Sequence, residues 1–300
     1  MMETRSCPLC GTASIEATVY LKENINPRRI SDLSFSSRKI PEYMCYQLVQ
    51  CPVCDLVYAD QPPSVKELGR AYGLAGYDSS EEADDAAAAY FRGIKPIIAM
   101  LPRRESALEI GAGTGIFLDY LSEQGFTELI GVEPSHAAIA AAPERRRAWI
   151  REGMFEDMHF LRESFDFVCC FMTMEHVLDP NSIANAAFRL LRPGGVFVTV
   201  THDYRSVVNR VLGKRSPIVD IEHLQLFSHV SIRCLFQHAG YTGITVLPFI
   251  NTYSLRYWLR LMPIPAMLKN GISGVLHAVR ADKIRLGFNV GNLIAAGFKI

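Results

Sequence analysis

The chain has 300 residues, enough for a large catalytic domain with a small appendage. Its 49% hydrophobic and 21% charged residues exclude a disordered or fibrous protein. With a net charge of zero, the chain lacks the strong positive field of a non-specific nucleic-acid binder, so nucleic acid is not expected as a partner. The sequence has neither a signal-peptide pattern at its start nor an apolar run of membrane-spanning length. The absence of both predicts a cytoplasmic protein.

Two short cysteine motifs lie in the first fifth of the chain, Cys7-Pro-Leu-Cys10 and Cys51-Pro-Val-Cys54. The C-P-x-C spacing lets two thiolates bind one tetrahedral zinc ion, and two such pairs complete a set of four. Free core cysteines and a redox pair are the alternatives. A single pair would serve redox chemistry, so the duplication favours a structural zinc site.

A D-Q-P-P break at residues 60–63 predicts a domain boundary, because two prolines interrupt both helix and sheet. We place a zinc-binding domain at residues 1–62 and the larger domain at 63–300. Ser64 is a suitable cap for a helix that begins at Val65.

From residue 106 onwards, short apolar runs alternate with helical patterns, which predicts βαβ units and a parallel sheet covered on both faces. A helical segment over residues 81–101, interrupted near Gly93 and Pro96, precedes them. The predicted strands are residues 107–110, 129–132, 148–151, 165–171, 196–201, 244–250 and 293–299. The predicted helices between them are residues 116–124, 135–143, 181–191 and 228–239.

The first of these strands runs into the glycine-rich sequence Gly111-Ala-Gly113-Thr-Gly115. Missing side chains allow a tight turn and let a ligand approach the backbone at a helix N-terminus. A dinucleotide-binding G-x-G-x-x-G loop would carry its third glycine one position later. Glu133 ends the second strand, where a carboxylate can accept both hydroxyls of a ribose.

These motifs together resemble the class I S-adenosylmethionine-dependent methyltransferases over residues 64–250. The resemblance rests on Leu-Glu-Ile-Gly-Ala-Gly-Thr-Gly, Gly-Val-Glu-Pro, Ser-Phe-Asp-Phe-Val, Met-Glu-His-Val-Leu-Asp-Pro and Leu-Leu-Arg-Pro-Gly-Gly-Val, in that order. It implies a Rossmann-like α/β fold with a seven-stranded sheet and S-adenosylmethionine as cofactor. It also implies that Glu133 holds the ribose and that four residues surround the methionine part: Glu109, Gly111, Gly113 and Gly115.

The adenine contact departs from the pattern of this family, in which an acid often follows the third strand. Met154 stands at that position. We expect the Phe155 amide and apolar stacking to take over the contact, with Glu156 or Asp157 as alternatives. Phe171, at the end of the fourth predicted strand, is the remaining expected cofactor contact.

The combination of a four-cysteine unit with such a domain resembles a bacterial subgroup of these methyltransferases. Its members often modify sugars, cell-surface glycans or secondary metabolites. The resemblance implies a small-molecule substrate, such as a sugar nucleotide, a glycan precursor or a secondary metabolite. Two alternatives remain open: the zinc unit recognises RNA or protein as the methyl acceptor, or the domain binds cofactor without turnover.

Three residues are candidates for catalysis, since a poorly acidic acceptor needs a base. The segment around His223 resembles the Glu-His-x-x-x-Phe-Ser segment of sugar C-methyltransferases, which makes His223 the preferred base and Glu222 its orienter or an alternative base. His176 follows the fourth strand and is the third candidate. Alternatively, the pair at 222 and 223 only anchors its loop. Three further residues stay open as lid or site residues: Tyr72, Tyr77 and His202.

A helical insert is expected over about residues 251–285, and it is basic and aromatic. Residues 251–300 hold seven Lys or Arg against one acid, Asp282. The insert could roof the site, form a homodimer contact or lie on a membrane surface as a peripheral contact. Its basic balance is compatible with an anionic substrate.

Overall fold

The computed structural model describes residues 4–31, 33–36, 41–77, 80–262 and 264–300. Its strands are β1 (Thr18–Leu21), β2 (Leu48–Gln50), β3 (Val57–Ala59), β4 (Ser106–Ile110), β5 (Glu128–Glu133), β6 (Ile150–Glu152), β7 (Phe165–Phe171), β8 (Leu191–His202), β9 (Gln225–Leu226), β10 (Thr242–Ser254) and β11 (Arg285–Phe298). Its α-helices are α1 (Val65–Leu74), α2 (Ser80–Ala99), α3 (Ile116–Glu123), α4 (His136–Ala141), α5 (Glu144–Arg147), α6 (Pro180–Leu190), α7 (Val207–Leu212), α8 (His229–His238), α9 (Leu255–Leu261) and α10 (Ala266–Ala278).

The larger sheet has seven strands in the order β10-β11-β8-β7-β4-β5-β6. All seven strands predicted from the sequence are present in it, which confirms the predicted sheet. The five strands from β8 to β6 run parallel, but β11 is antiparallel to both of its neighbours. The expectation of a purely parallel sheet is therefore wrong. β10 and β11 form a hairpin, and only a crossover connection makes consecutive strands parallel.

The central strand β7 is buried along its whole length. Alternate side chains enter two separate cores: Val168 and Cys170 pack beneath α6 and α8, whereas Phe167 and Cys169 pack beneath α2 and α3. Because both faces are covered by helices, the strand reads as a continuous apolar run without alternation.

Helix α1 begins as expected, with Ser64 and Glu67 forming a capping box. The predicted interruption of the next helix near Gly93 and Pro96 is wrong, because α2 continues through both residues. Close packing requires the glycine: a Cβ at position 93 would lie 2.3 Å from Cδ1 of Ile294 in β11. Packing against β11 therefore accounts for the glycine at position 93, and local helix propensity does not.

The smaller sheet is antiparallel, with the order β1-β2-β3-β9. Its first three strands come from the N-terminal unit, but β9 comes from the larger part of the chain and pairs Leu226 with Val57. The proposed boundary after residue 62 stays a prediction. What the structure adds is that the two parts share one sheet.

The C-terminal insert is a long hairpin with two helices at its tip. β10 and β11 pair from Thr242 and Phe298 out to Ser254 and Arg285, and α9 and α10 connect them. Both ends of the expected helical insert are therefore strand. Within the described residues, no helix is long and apolar enough to cross a membrane.

Candidate active site

The glycine-rich loop lies at the carboxyl edge of the sheet, between β4 and α3. Gly111, Gly113 and Gly115 all have left-handed backbone angles, with φ of +78°, +55° and +68°. A Cβ at Gly111 would also lie 2.3 Å from Oγ1 of Thr173. A side chain at position 111 would be strained and would clash, so the backbone geometry of this turn requires glycine.

Glu133 ties this loop to β5. One carboxylate oxygen, Oε2, accepts a hydrogen bond of 2.7 Å from the Gly113 amide, and Oε1 accepts one of 2.8 Å from the Ser135 amide. Burial raises the pKa of Glu133 above its ordinary value, while the two amides oppose that rise. The arrangement places a buried carboxylate beside the loop, where it could accept the hydroxyls of a ribose.

A cavity of about 590 Å³ opens at this edge of the sheet, within the roughly 300–1,000 Å³ typical of small-molecule sites. Six of the seven expected cofactor contacts line it: Glu109, Gly111, Gly113, Glu133, Phe155 and Phe171. Gly115 does not line the cavity and instead caps the N-terminus of α3.

Met154 and Phe155 line the cavity, whereas Glu156 and Asp157 are not among its lining residues. Asp157 accepts a hydrogen bond of 3.0 Å from Nε of Arg189. Only apolar side chains of this segment therefore reach the cavity.

The three candidate catalytic residues come together on the wall of the cavity. Nδ1 of His223 lies 2.7 Å from the carbonyl oxygen of Ile218. A carbonyl only accepts hydrogen bonds, so Nδ1 carries the proton and Nε2 holds the lone pair. In the neutral ring, Nε2 is therefore the nitrogen that can accept a proton.

His176 stands beside His223, with 4.9 Å between the ring centroids. Its Nδ1 lies 3.1 Å from Oη of Tyr72 and 3.7 Å from the Glu222 carboxylate. Burial raises the pKa of Tyr72 well above its ordinary value, so its hydroxyl stays protonated. The imidazole nitrogens of the two histidines and a carboxylate oxygen of Glu222 lie within 4.8 Å of one another.

A polar chain that begins at His202, a residue that the sequence left open as a site residue, adjoins this cluster, with 5.5 Å between the ring centroids of His202 and His223. Its two asparagines were not predicted. Nδ1 of His202 lies 2.8 Å from Oδ1 of Asn292, and Nδ2 of Asn292 donates to Oδ1 of Asn251 at 2.8 Å. Burial lowers the pKa of His202 to about 4, so the ring is neutral near pH 7. All three side chains line the cavity. Asn251 and Asn292 are buried in their strands, but the sequence carries no signal that distinguishes them from an exposed asparagine such as Asn289.

The N-terminal unit covers one side of the cavity. Phe35, Ser36 and Pro41 line it, and the amide of Glu42 donates a hydrogen bond of 3.1 Å to the Asp220 carboxylate. Tyr72 and Tyr77, the candidate lid residues, also line the cavity.

The four cysteines of the two C-P-x-C motifs form one cluster. The sulfur atoms of Cys7 and Cys54 are 3.4 Å apart, as are those of Cys10 and Cys51. A hydrogen bond from Cys54 lowers the pKa of Cys7 to about 7, helped by the amides of Cys10 and Leu9. Tetrahedral zinc at about 2.3 Å from each sulfur requires sulfur–sulfur distances of about 3.8 Å, so the cluster fits such an ion after a small expansion.

Residues 82–246 match a family described as a methyltransferase domain, and this match covers more than half of the chain. The chain belongs to this methyltransferase family.

Curated relatives and a solved structure agree with that class. The ubiquinone biosynthesis O-methyltransferase of Pseudomonas fluorescens SBW25 is 29% identical over an alignment of 120 residues, which covers 36% of this chain and 50% of that protein. Its counterpart from Pseudomonas entomophila is 28% identical over the same shares. The chain thus spans about half the length of these relatives. An S-adenosylmethionine-dependent methyltransferase of Thermotoga maritima, described as a possible histamine N-methyltransferase, shares the fold at a TM-score of 0.50 and 23% identity, covering 73% of this chain and 91% of that one.

Proposed function

We propose that the chain is an enzyme that transfers a methyl group from S-adenosylmethionine to a small molecule. One observation carries the proposal: a single cavity holds both the glycine loop with Glu133 and the cluster around His223. A donor bound at the loop and an acceptor bound at the cluster would therefore share one enclosed space, as an in-line displacement requires.

The residues of the loop suit this cofactor. Glu133 would accept the ribose hydroxyls, and the backbone at Gly111 and Gly113 leaves room for the methionine part. Met154 and Phe155 offer an apolar surface to the adenine. When bound, the cofactor supplies a methyl group on a positively charged sulfur.

His223 would act as the base. Its Nε2 holds the lone pair because Nδ1 donates to the Ile218 carbonyl. After taking a proton from the acceptor, the ring would be positive, and the Glu222 carboxylate and neighbouring His176 lie close enough to influence that charge. Glu222 is therefore an orienting residue in this proposal, and His176 a second contact to the acceptor.

The walls of the cavity support a small, neutral acceptor. Aromatic side chains from distant parts of the chain line it, including Phe35, Tyr257 and Trp258, and its volume of about 590 Å³ suits a small molecule. Among the described residues that line the cavity there is no lysine or arginine. That lining favours a neutral acceptor over the anionic one that the basic insert suggested. A sugar, glycan precursor or secondary metabolite fits this description.

We also propose one structural zinc ion per chain, held by the four cysteines. Four thiolates fill a tetrahedral shell, so the ion would stabilise the N-terminal unit and leave no position for a substrate. The support is the donor set and the spacing of its sulfur atoms.

Calorimetric titration with S-adenosylmethionine tests the donor site. Glu133→Ala should weaken the affinity at least tenfold, because the variant loses a hydrogen-bonding carboxylate whose bonds are each worth about 1.5–3 kcal/mol. Glu152→Ala, an exposed acid on the neighbouring strand, should bind like the wild type. Absence of binding by the wild type would refute the proposed activity.

A further inference from the structure

Helix α10 carries its apolar side chains on the face that points away from the protein. Met267 is 85% exposed, Leu268 56% and Val275 63%, and Val279 just beyond the helix is 65% exposed. Leu268, Ile272, Val275 and Val279 follow one another at spacings of four, three and four residues, which places them on one helical face. Apolar faces of helices in water-soluble domains normally pack inward, so this orientation is the reverse of the usual one.

The opposite side of α10 is the side that packs. Its main contact is α9, and Lys269 on that side donates a hydrogen bond of 2.7 Å to the carbonyl oxygen of Arg260. Lys269, Ser273 and Leu276 are only partly exposed. The packed side of α10 thus already holds both polar and apolar residues. The outward apolar face is therefore not a surface that should have faced the core.

Two exposed cations, Arg280 and Lys283, follow the apolar face in the chain, on either side of Asp282, whose carboxylate lies 3.5 Å from Nδ1 of His277. Arg260 and Arg285 are already paired with Glu82 and Asp85 of α2 and do not add to this charge. The helix itself contains no acid. Cations beside an apolar helical face are typical of helices that bind anionic membranes.

The same insert forms part of the cavity wall. Tyr257, Trp258, Leu261 and Met262, on α9 and just beyond it, line the cavity. The hairpin beside them also exposes Phe288. The insert that exposes the apolar face of α10 therefore also contributes part of the cavity wall.

We propose that α10 docks on an anionic lipid bilayer, with its apolar face in the headgroup region and Arg280 and Lys283 against lipid phosphates. This orientation would give an acceptor dissolved in the membrane direct access to the cavity. Access to such an acceptor rests on the proposed function, whereas docking itself does not. A second copy of the chain fits the patch less well, because two-fold pairing would bring these cations towards those of the partner.

Vesicle flotation with the full chain tests the docking. The wild type should float with vesicles of phosphatidylcholine and phosphatidylglycerol, and much less with phosphatidylcholine alone. The double variant Leu268→Asp and Val275→Asp should lower the bound fraction at least tenfold, because charged groups then enter the apolar layer. Leu161→Asp, at an apolar position outside the insert that is 81% exposed, is the control and should float like the wild type.

Charge reversal provides the second arm. Arg280→Glu with Lys283→Glu should weaken binding to the anionic vesicles by about fivefold for each cation removed. No flotation of the wild type, or equal flotation of all variants, would overturn the proposal. So would a dimer in ultracentrifugation that the Leu268 and Val275 changes dissociate while vesicles leave the wild type unbound. Calorimetry with S-adenosylmethionine on the same variants separates the two proposals, since docking variants should keep cofactor affinity.

Discussion

The ring of His223 is held by the carbonyl oxygen of Ile218, five residues earlier in the same loop. A hydrogen bond to a fixed acceptor removes the choice between two tautomers, and the lone pair then stays on Nε2. His176 is held in a similar way, because its Nδ1 lies 3.2 Å from the Glu222 backbone carbonyl and 3.1 Å from the Tyr72 hydroxyl. His223 is the proposed base because its contact with a carbonyl oxygen is the shorter one, 2.7 Å.

Glu175, next to His176 in sequence, gives a pH-dependent prediction. Its carboxyl group is fully buried, accepts a hydrogen bond of 2.7 Å from the His202 amide, and has its pKa raised by burial from 4.5 to about 7. The folded state therefore binds this proton more tightly than the unfolded state does. The stabilisation is present below pH 4.5 and is lost as the pH rises towards 7.

Replacing Glu175 with glutamine should remove that pH dependence. We expect the free energy of unfolding of Glu175→Gln, relative to wild type, to rise by about 3 kcal/mol between acidic and neutral pH. Urea unfolding at several pH values measures this difference. Glu152→Gln, at an exposed position, should change nothing. A constant difference between Glu175→Gln and wild type would show that this carboxyl group has the same pKa in the folded and unfolded states.

At the residue scale the sequence was informative wherever a residue type has few uses. Glycines at 111 and 113 and an acid at 133 predicted the donor side of the cavity, and the structure brings them together. Asn251 and Asn292 were not predicted, because their contact with His202 depends on how β10, β11 and β8 pair. No local pattern encodes that pairing.

At the scale of elements, two glycines inside helices make a matched pair. Gly93 in α2 lies against Ile294, whereas nothing within 4 Å would meet a Cβ at Gly271 in α10. Gly271→Ala should raise the free energy of unfolding by up to about 1 kcal/mol, because alanine favours the helix. Gly93→Ala should lower it by about 1–2 kcal/mol, since the packing clash exceeds that gain.

Thermal or urea unfolding of the two alanine variants compares them directly. If Gly93→Ala proved as stable as Gly271→Ala, helix α2 would not lie as close to β11 as described. The comparison also explains why the expected break in α2 was wrong. A glycine inside a helical pattern indicates either a break or a close contact, and the sequence alone does not distinguish the two.

Strand directions show a similar limit. The apolar runs predicted all seven strands, because buried strands need continuous apolar residues. They did not predict that β10 and β11 form an antiparallel hairpin, since the helices between them look like those of a crossover. They also missed β9, whose two residues are too few to form a pattern.

At the scale of the whole molecule, the N-terminal unit and the larger part depend on each other. They share a sheet through β3 and β9, and the unit places Phe35 and Pro41 on the cavity wall. Sequence motifs predicted the four-cysteine cluster of this unit but not the position of the unit over the cavity. Position depends on contacts between residues far apart in the chain, such as Glu42 with Asp220.

Zinc removal should therefore affect more than the four cysteines. Elemental analysis should find about one zinc per chain, and Cys51→Ser should lower both the zinc content and the melting temperature. Cys45→Ser is the matched control, because Cys45 is buried in the same unit but outside the cluster and should keep its zinc. Protein purified without chelators that contained no zinc would contradict the proposed metal site.

Transfer of a labelled methyl group tests the central claim most directly. The chain, S-adenosylmethionine labelled on its methyl group and a bacterial extract would be incubated together, and the label then separated into low-mass and macromolecular fractions. We predict label in the low-mass fraction, a loss of about 10²–10⁴-fold in rate with His223→Ala, and unchanged cofactor affinity in that variant. Exposed His159→Ala is the control. Label in RNA or protein, no transfer despite cofactor binding, or full activity of His223→Ala would contradict the account.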